Sequence, residues 1–298
     1  MPTIPRFLHS VLLLVISSAF GLAAPQITSI DPGTGPTSGG TTITINGSGF
    51  GSIAVFTTVS LGGASMTITG LTDTRILATT PAGEGTGKQL TVTFAGQTSN
   101  AATFSYLPPA ITSFTPATIP TSGGTSLTLV GSNFGLNPIV SAGSFNFPVT
   151  SRTHSTIICT VPAGQGGSIP VTVATGGQTS NSVSVSYTPP AITAITPTTG
   201  GTAGNTPITI TGSNFGVSQT VSIGGKNAPV TSGTHTQLVV SSPAGEGVNQ
   251  SVVVNAGGQI SNSAQFSSLP PAITGINYAS APTAARRGNR APPCRTPG

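Results

Sequence analysis

Along most of this chain, apolar residues come in short alternating bursts separated by runs of Gly, Thr, Ser and Pro. Ile43/Ile45, Leu127/Leu129 and Ile208/Ile210 each place two aliphatic side chains on either side of a Thr, the period of a strand with one buried face. Further strands are predicted at Val59-Ser-Leu61, Arg75-Ile-Leu-Ala78, Leu90-Thr-Val92 and Thr103-Phe-Ser-Tyr106, each with matching copies downstream. Short strands broken by Gly/Pro turns predict β-sandwiches.

The pattern recurs three times, as PTSGGTTITINGSGFG at 36–51, PTSGGTSLTLVGSNFG at 120–135 and GTAGNTPITITGSNFG at 201–216. Phe50, Phe134 and Phe215 are spaced by 84 and 81 residues, and Pro-Ala-Gly begins at Pro81, Pro162 and Pro243. A self-similar period on this scale takes precedence over length as a guide to domain count. It divides the chain into a leader at 1–24, sandwiches at 25–108, 109–189 and 190–270, and a tail at 271–298. Each repeat opens on Pro-x-Ile-Thr, and the junctions Tyr106-Leu-Pro-Pro-Ala-Ile111, Tyr187-Thr-Pro-Pro-Ala-Ile192 and Ser268-Leu-Pro-Pro-Ala-Ile273 leave almost no slack. Paired prolines favour extended, semi-rigid connections, so an end-to-end array with limited bending is expected.

Comparing the copies assigns roles to particular positions. Gly40, Gly124 and Asn205 share one site, and Gly49, Asn133 and Asn214 share another. Gly and Asn accept positive φ most readily, which predicts left-handed turns at both. The invariant Phe50, Phe134 and Phe215 are expected to plug each sandwich beside that turn.

The leader has Arg6, an apolar Val11–Ile16 centre and small residues at Gly21, Ala23 and Ala24. This is the layout of a secretory signal; its apolar run is shorter than the ~20 residues a spanning helix needs. A released, secreted or surface-associated product with no transmembrane segment is expected. The tail repeats the opening as Pro271-Ala-Ile-Thr-Gly-Ile, then loses the match at Ala284 and holds four arginines, as expected of the truncated start of a fourth repeat followed by an unstructured Arg/Pro stretch.

Charge alters the picture only when mapped. The net +5 comes from the ends; between Pro25 and Pro271, Arg75, Lys88, Arg152 and Lys226 balance Asp31, Asp73, Glu84 and Glu246. The repeats thus lack the basic footprint of a nucleic-acid binder. Charged residues are 4% of the chain, which leaves sheet edges poorly guarded and makes self-association through them an expectation.

The ordered set Pro-x-Ile-Thr, Thr-Ser-Gly-Gly-Thr, Gly-Ser-Asn-Phe-Gly, Pro-Ala-Gly-x-Gly and Phe-Ser-Tyr resembles the IPT/TIG domain over residues 25–271. The resemblance implies immunoglobulin-like (E-set) sandwiches of the plexin, Met-receptor and fibrocystin-like extracellular branch. The basic DNA-binding loops of the transcription-factor branch are missing. The resemblance also implies a cysteine pair in many extracellular members. Ile158-Cys159-Thr160 supplies one half, but Met66, Phe147 and Ala228 stand where the partner would fall, so no bond is expected.

Candidate chemistry is sparse. Cys159 aligns with Ala78 and Val240, the pattern of a buried small apolar site. His154 and His235 align with Asp73 in a turn before a strand, one histidine per domain and a poor zinc site. Glu84, Gln165 and Glu246 align within Pro-Ala-Gly-x-Gly; glycosidase chemistry needs paired carboxylates, which these domains do not offer. Gly83–Lys88 lacks phosphate-loop spacing and reads as a turn. Asn46-Gly-Ser48 and Asn249-Gln-Ser251 fit the N-glycosylation pattern, with Asn249 in the more loop-like setting. No enzyme, cofactor or metal site is expected. The leading expectation is an adhesion, recognition or spacer module whose partner is an extracellular protein or glycan. The alternative is a glycan-binding accessory region of a larger secreted enzyme, which the absence of Trp disfavours.

Overall fold

The computed structural model describes residues 23–143 and 145–270, with Ile273 and Gly275. The leader up to residue 22 and nearly all of the tail lie outside the described residues. The fold is all-β, with the same strand set repeated three times. In the first domain the strands are β1 (Gln26–Asp31), β2 (Thr34–Gly35), β3 (Thr42–Ser48), β4 (Thr57–Leu61), β5 (Ala64–Ser65), β6 (Thr67–Leu71), β7 (Arg75–Thr79), β8 (Lys88–Phe94), β9 (Gln97–Thr98) and β10 (Ala102–Tyr106). One sheet runs β1-β3-β7-β6; the other runs β2-β10-β8-β4-β5, with β9 paired to β8. The second domain repeats this between Ala110 and Tyr187, and the third between Ala191 and Ser268.

Alternation along the strands becomes the core. Ile43 and Ile45 are fully buried and oppose Ala78 and Ile76 across β3 and β7. Leu127 and Leu129 oppose Cys159 and Ile157 in the second domain, and Ile208 and Ile210 oppose Val240 and Leu238 in the third. Val59, Leu61, Leu90, Val92 and Phe104 close the first core from the facing sheet.

Phe50, Phe134 and Phe215 are all fully buried. Each ring lies against a glycine three residues earlier: a Cβ at Gly47 would stand 2.5 Å from the Phe50 ring and would also overlap the Gln26 carbonyl of β1. Gly131 and Gly212 are confined in the same way by Phe134 and Phe215 and by the carbonyls of Ala110 and Ala191. Only glycine lets the first strand and the aromatic plug close on the same point.

A second device pins the sheets together. The Asn100 side chain accepts from the Ile27 amide at 2.7 Å and donates to the Ile27 carbonyl at 3.0 Å. Asn181 and Asn262 do the same for Ile111 and Ile192. These asparagines tie the edge strand of one sheet to the loop entering the last strand of the other.

Candidate functional site: the interdomain junctions

The polar residues that repeat without forming part of a core converge where one domain meets the next. At the trailing end of domain 1, the Gly83 amide donates to the Thr37 carbonyl at 2.9 Å, and the Tyr106 hydroxyl donates to the Pro81 carbonyl at 2.9 Å. These bonds set the Thr37 loop beside the Pro-Ala-Gly loop and present Thr37 and Glu84 together. At the leading end of domain 2, the Phe134 amide donates to the His154 carbonyl at 3.0 Å. That bond joins the Asn133-Phe134-Gly135 turn to the Thr153-His154-Ser155 turn. The left-handed Asn133 (φ 55°) and Asn214 (φ 57°) and glycine at position 49 (φ 71°) shape this turn. At the other shared site, Gly40, Gly124 and Asn205 have φ of 82°, 78° and 59°.

The two ends meet through side chain and backbone. The Thr37 amide donates to Asn133 Oδ1 at 3.3 Å, and Thr37 Oγ1 lies 2.9 Å from His154 Nδ1. The Gly135 amide donates to Thr37 Oγ1 at 3.3 Å, and Thr37 has no solvent exposure. The Thr37 hydroxyl thus accepts from Gly135 and shares a second hydrogen bond with the His154 imidazole, both supplied by domain 2.

Glu84 Oε2 accepts from the amides of Leu136 at 2.6 Å and Asn137 at 2.9 Å and from the Thr175 hydroxyl at 2.6 Å. Gln178 Nε2 donates to the Tyr106 carbonyl at 3.2 Å, and Asn133 Nδ2 reaches back to Pro108 at 3.2 Å. Burial raises the Glu84 pKa, but the bonds from Thr175, Asn137 and Leu136 outweigh it and hold the carboxyl below its ordinary value.

The second junction is built from the same positions. The Thr121 amide donates to Asn214 Oδ1 at 3.3 Å and Thr121 Oγ1 lies 2.9 Å from His235 Nδ1, as Thr37 does with Asn133 and His154. Gln165 Oε1 accepts from the amides of Val217 at 2.9 Å and Ser218 at 2.7 Å, and its Nε2 donates to the Ser218 carbonyl. Gln259 Nε2 donates to the Tyr187 carbonyl at 2.9 Å. Gln165 thus keeps the acceptor oxygen of Glu84 without its charge. The aligned set Glu84/Gln165 and the turn residues His154 and His235 are interdomain groups, a role that sequence comparison alone did not assign.

The leading end of domain 1 is different. Gly49 offers no side-chain amide, and Asp73, at the His154 position, turns its Oδ1 onto its own Gly51 amide at 3.0 Å. Phe94 packs so closely on Gly51 that a Cβ there would overlap its ring. Thr175 and Ala256, small residues, hold that position at the two junctions.

The remaining candidates stand apart from the junctions. Cys159 is a free, buried thiol whose pKa burial raises to about 11. Its Sγ lies 3.6 Å from the Leu127 carbonyl. Asn46 lies within β3 with its amide on Ser29 Oγ at 3.1 Å, whereas Asn249 is exposed in a turn. A hollow of about 190 Å³ beside the second junction is lined by Phe145, Phe147, Tyr187 and Val217. In domain 3 Lys226 takes the Phe145 position and donates to the Ala244 carbonyl at 3.1 Å. Among the described residues no helix is long and apolar enough to cross a membrane.

Three immunoglobulin-like sandwiches in series, joined through equivalent polar residues at each boundary, define a tandem-module protein. The IPT/TIG domain model matches residues 25–106, 109–188 and 190–268, and the chain belongs to that family. Mouse fibrocystin-L is 31% identical over 222 residues, covering 70% of this chain and 5% of its own. Human fibrocystin-L is 31% identical over 226 residues, again 70% of this chain and 5% of its own length. The chain therefore spans only a small part of these relatives. Among solved structures, the extracellular region of plexin A4 covers 81% of this chain and 24% of its own, at 23% identity and a TM-score of 0.31. A surface glycan-binding protein from Prevotella bryantii covers 53% of this chain and 41% of its own, at 16% identity and a TM-score of 0.38.

Proposed function

We propose that this chain is a non-enzymatic, extracellular spacer that holds its domains in a fixed series and presents loops and strand faces to a protein or glycan partner. The observation that supports this reading is the pair of junctions: Thr37 and Thr121, both buried, each bound by the Asn and His of the following domain. A flexible string of modules has no use for a fully desolvated hydroxyl at each boundary, whose loss leaves polar groups unpaired. Recognition on such a scaffold rests on Thr, Ser and Asn hydrogen bonding, because the repeats carry little charge.

The test is small-angle X-ray scattering of the full chain beside a Thr37→Val, Thr121→Val double variant. A stiff spacer gives a profile fitted by one arrangement in the natural chain and a broadened ensemble in the variant. A natural chain as broadly distributed as the variant would overturn the reading.

A further inference from the structure

The trailing end of domain 3 carries the same construction as the two ends that hold a neighbour. The Gly245 amide donates to the Thr202 carbonyl at 2.9 Å, as Gly83 does to Thr37 and Gly164 to Thr121. Glu246 stands at the position of Glu84 and Gln165. Domain 3 has Ser268 where the others have a braced tyrosine, yet its loop is still held. Lys226 Nζ donates to the Ala244 carbonyl, and Gln250 Nε2 donates to the Gly247 carbonyl at 3.2 Å and to Ser268 Oγ at 3.1 Å. The socket is thus preformed. Thr202 and Glu246 are exposed there, beside an open hollow of about 390 Å³ also lined by Val248, Ser268 and Leu269.

We propose that this end is a docking site for a further IPT/TIG sandwich, joined after Pro270 and bearing Asn and His at the positions of Asn133 and His154. The two occupied sockets define what fits. Thr202 needs an amide oxygen for its N–H and an imidazole nitrogen for its hydroxyl, as Thr37 and Thr121 have. Glu246 needs two successive backbone amides after the Phe-Gly turn, as Glu84 has in Leu136 and Asn137. The chain resumes after Pro270 with the same Pro-Ala-Ile-Thr that opens domains 2 and 3. Domain 1 of a second copy does not fit: Gly49 lacks the amide, the Asp73 carboxylate would face Glu246, and Phe94 covers the surface. The inference rests on the spacer reading in treating these junctions as fixed.

The test extends the chain after Pro270 with a second copy of residues 190–270. Spin labels are placed at exposed Thr231 of domain 3 and at the same site of the added copy, and pulsed dipolar spectroscopy reads their distance. The matching pair Thr150 and Thr231 reports on the existing junction. A single narrow distance is expected for the added domain, like that across the existing junction. It should broaden with Thr202→Val and Glu246→Ala in the socket. It should broaden equally when the added copy alone carries Asn214→Gly and His235→Asp, which leaves the natural three domains untouched. A broad distance to the added domain beside a narrow Thr150–Thr231 distance would overturn docking and leave the spacer reading standing. A narrow distance indifferent to both sets of substitutions would also overturn it. Breadth in both pairs would overturn the two together.

Discussion

Thr37→Val keeps the shape of the side chain and removes one hydroxyl, so it isolates the junction's polar content. Thr37 Oγ1 meets His154 Nδ1 at 2.9 Å and the Gly135 amide at 3.3 Å, with Thr37 fully buried. Gly135 is itself buried, so its N–H loses its acceptor with no water to replace it; half-buried His154 can turn partly to solvent. A buried group left without a partner costs roughly 1–3 kcal/mol, so the substitution should cost about 2–4 kcal/mol in total. For a domain of this size each kcal/mol lowers the melting temperature by roughly 4–8 °C, so the affected transition should fall by roughly 8–30 °C. Thr37→Ser keeps the hydroxyl and should lose about 1 kcal/mol or less, the methyl group alone. Thr202→Val, at the same position but exposed, should stay within about 0.5 kcal/mol. Scanning calorimetry of the full chain separates the three. Thr37→Val melting with Thr37→Ser, or Thr202→Val proving as damaging as Thr37→Val, would refute a buried, hydrogen-bonded role for the Thr37 hydroxyl.

Acid should remove a Glu84 contribution at the first junction that Gln165 does not have at the second. Glu84 has its carboxyl held below the ordinary value in the folded chain, so its contribution is complete above the ordinary carboxylate range and is lost as pH falls through the lowered folded value. Melting followed from pH 7 downward should show this loss, and Glu84→Gln, which copies Gln165, should abolish it. Gly131→Ala should destabilise at least as much as Phe134→Ala, which costs about 3–5 kcal/mol as a core truncation. Denaturant unfolding would show this, because the added methyl meets both the Phe134 ring and the Ala110 carbonyl. In a Cys294→Ala background, Cys159 should resist thiol reagents at pH 8 until the domain unfolds, since burial raises its pKa to about 11.

The strands were legible because a repeated Ile-Thr-Ile or Leu-Thr-Leu needs no context to declare a buried face. The Phe-Gly turn was legible because three copies exchanged only Gly and Asn at one site, which is a backbone requirement. The junctions were not legible for the opposite reason. Glu84, Gln165 and Glu246 seen side by side look like an interchangeable turn residue, because what is kept is an acceptor oxygen and its partners are backbone amides of another domain. His154 and His235 against Asp73 carried a signal of the same kind. The two histidines occur only in domains that follow another, and the aspartate only in the one that leads. The short strands Thr34–Gly35 and Gln97–Thr98 lacked any period to read, and Asn100, Asn181 and Asn262 were hidden in a polar run that resembled an ordinary loop.

Successive domains are locked by hydrogen bonds from the trailing end of one to the turn of the next. Amide hydrogen exchange on the full chain tests this most directly, because the chain contains its own control. Leu136 and Asn137 donate to Glu84, and Val217 and Ser218 to Gln165. The matching amides of Ser52 and Ile53, at the leading end, have no acceptor among the described residues. Locked junctions require the four bonded amides to be protected while Ser52 and Ile53 exchange as an open loop. Equal, rapid exchange at all six positions would contradict the claim.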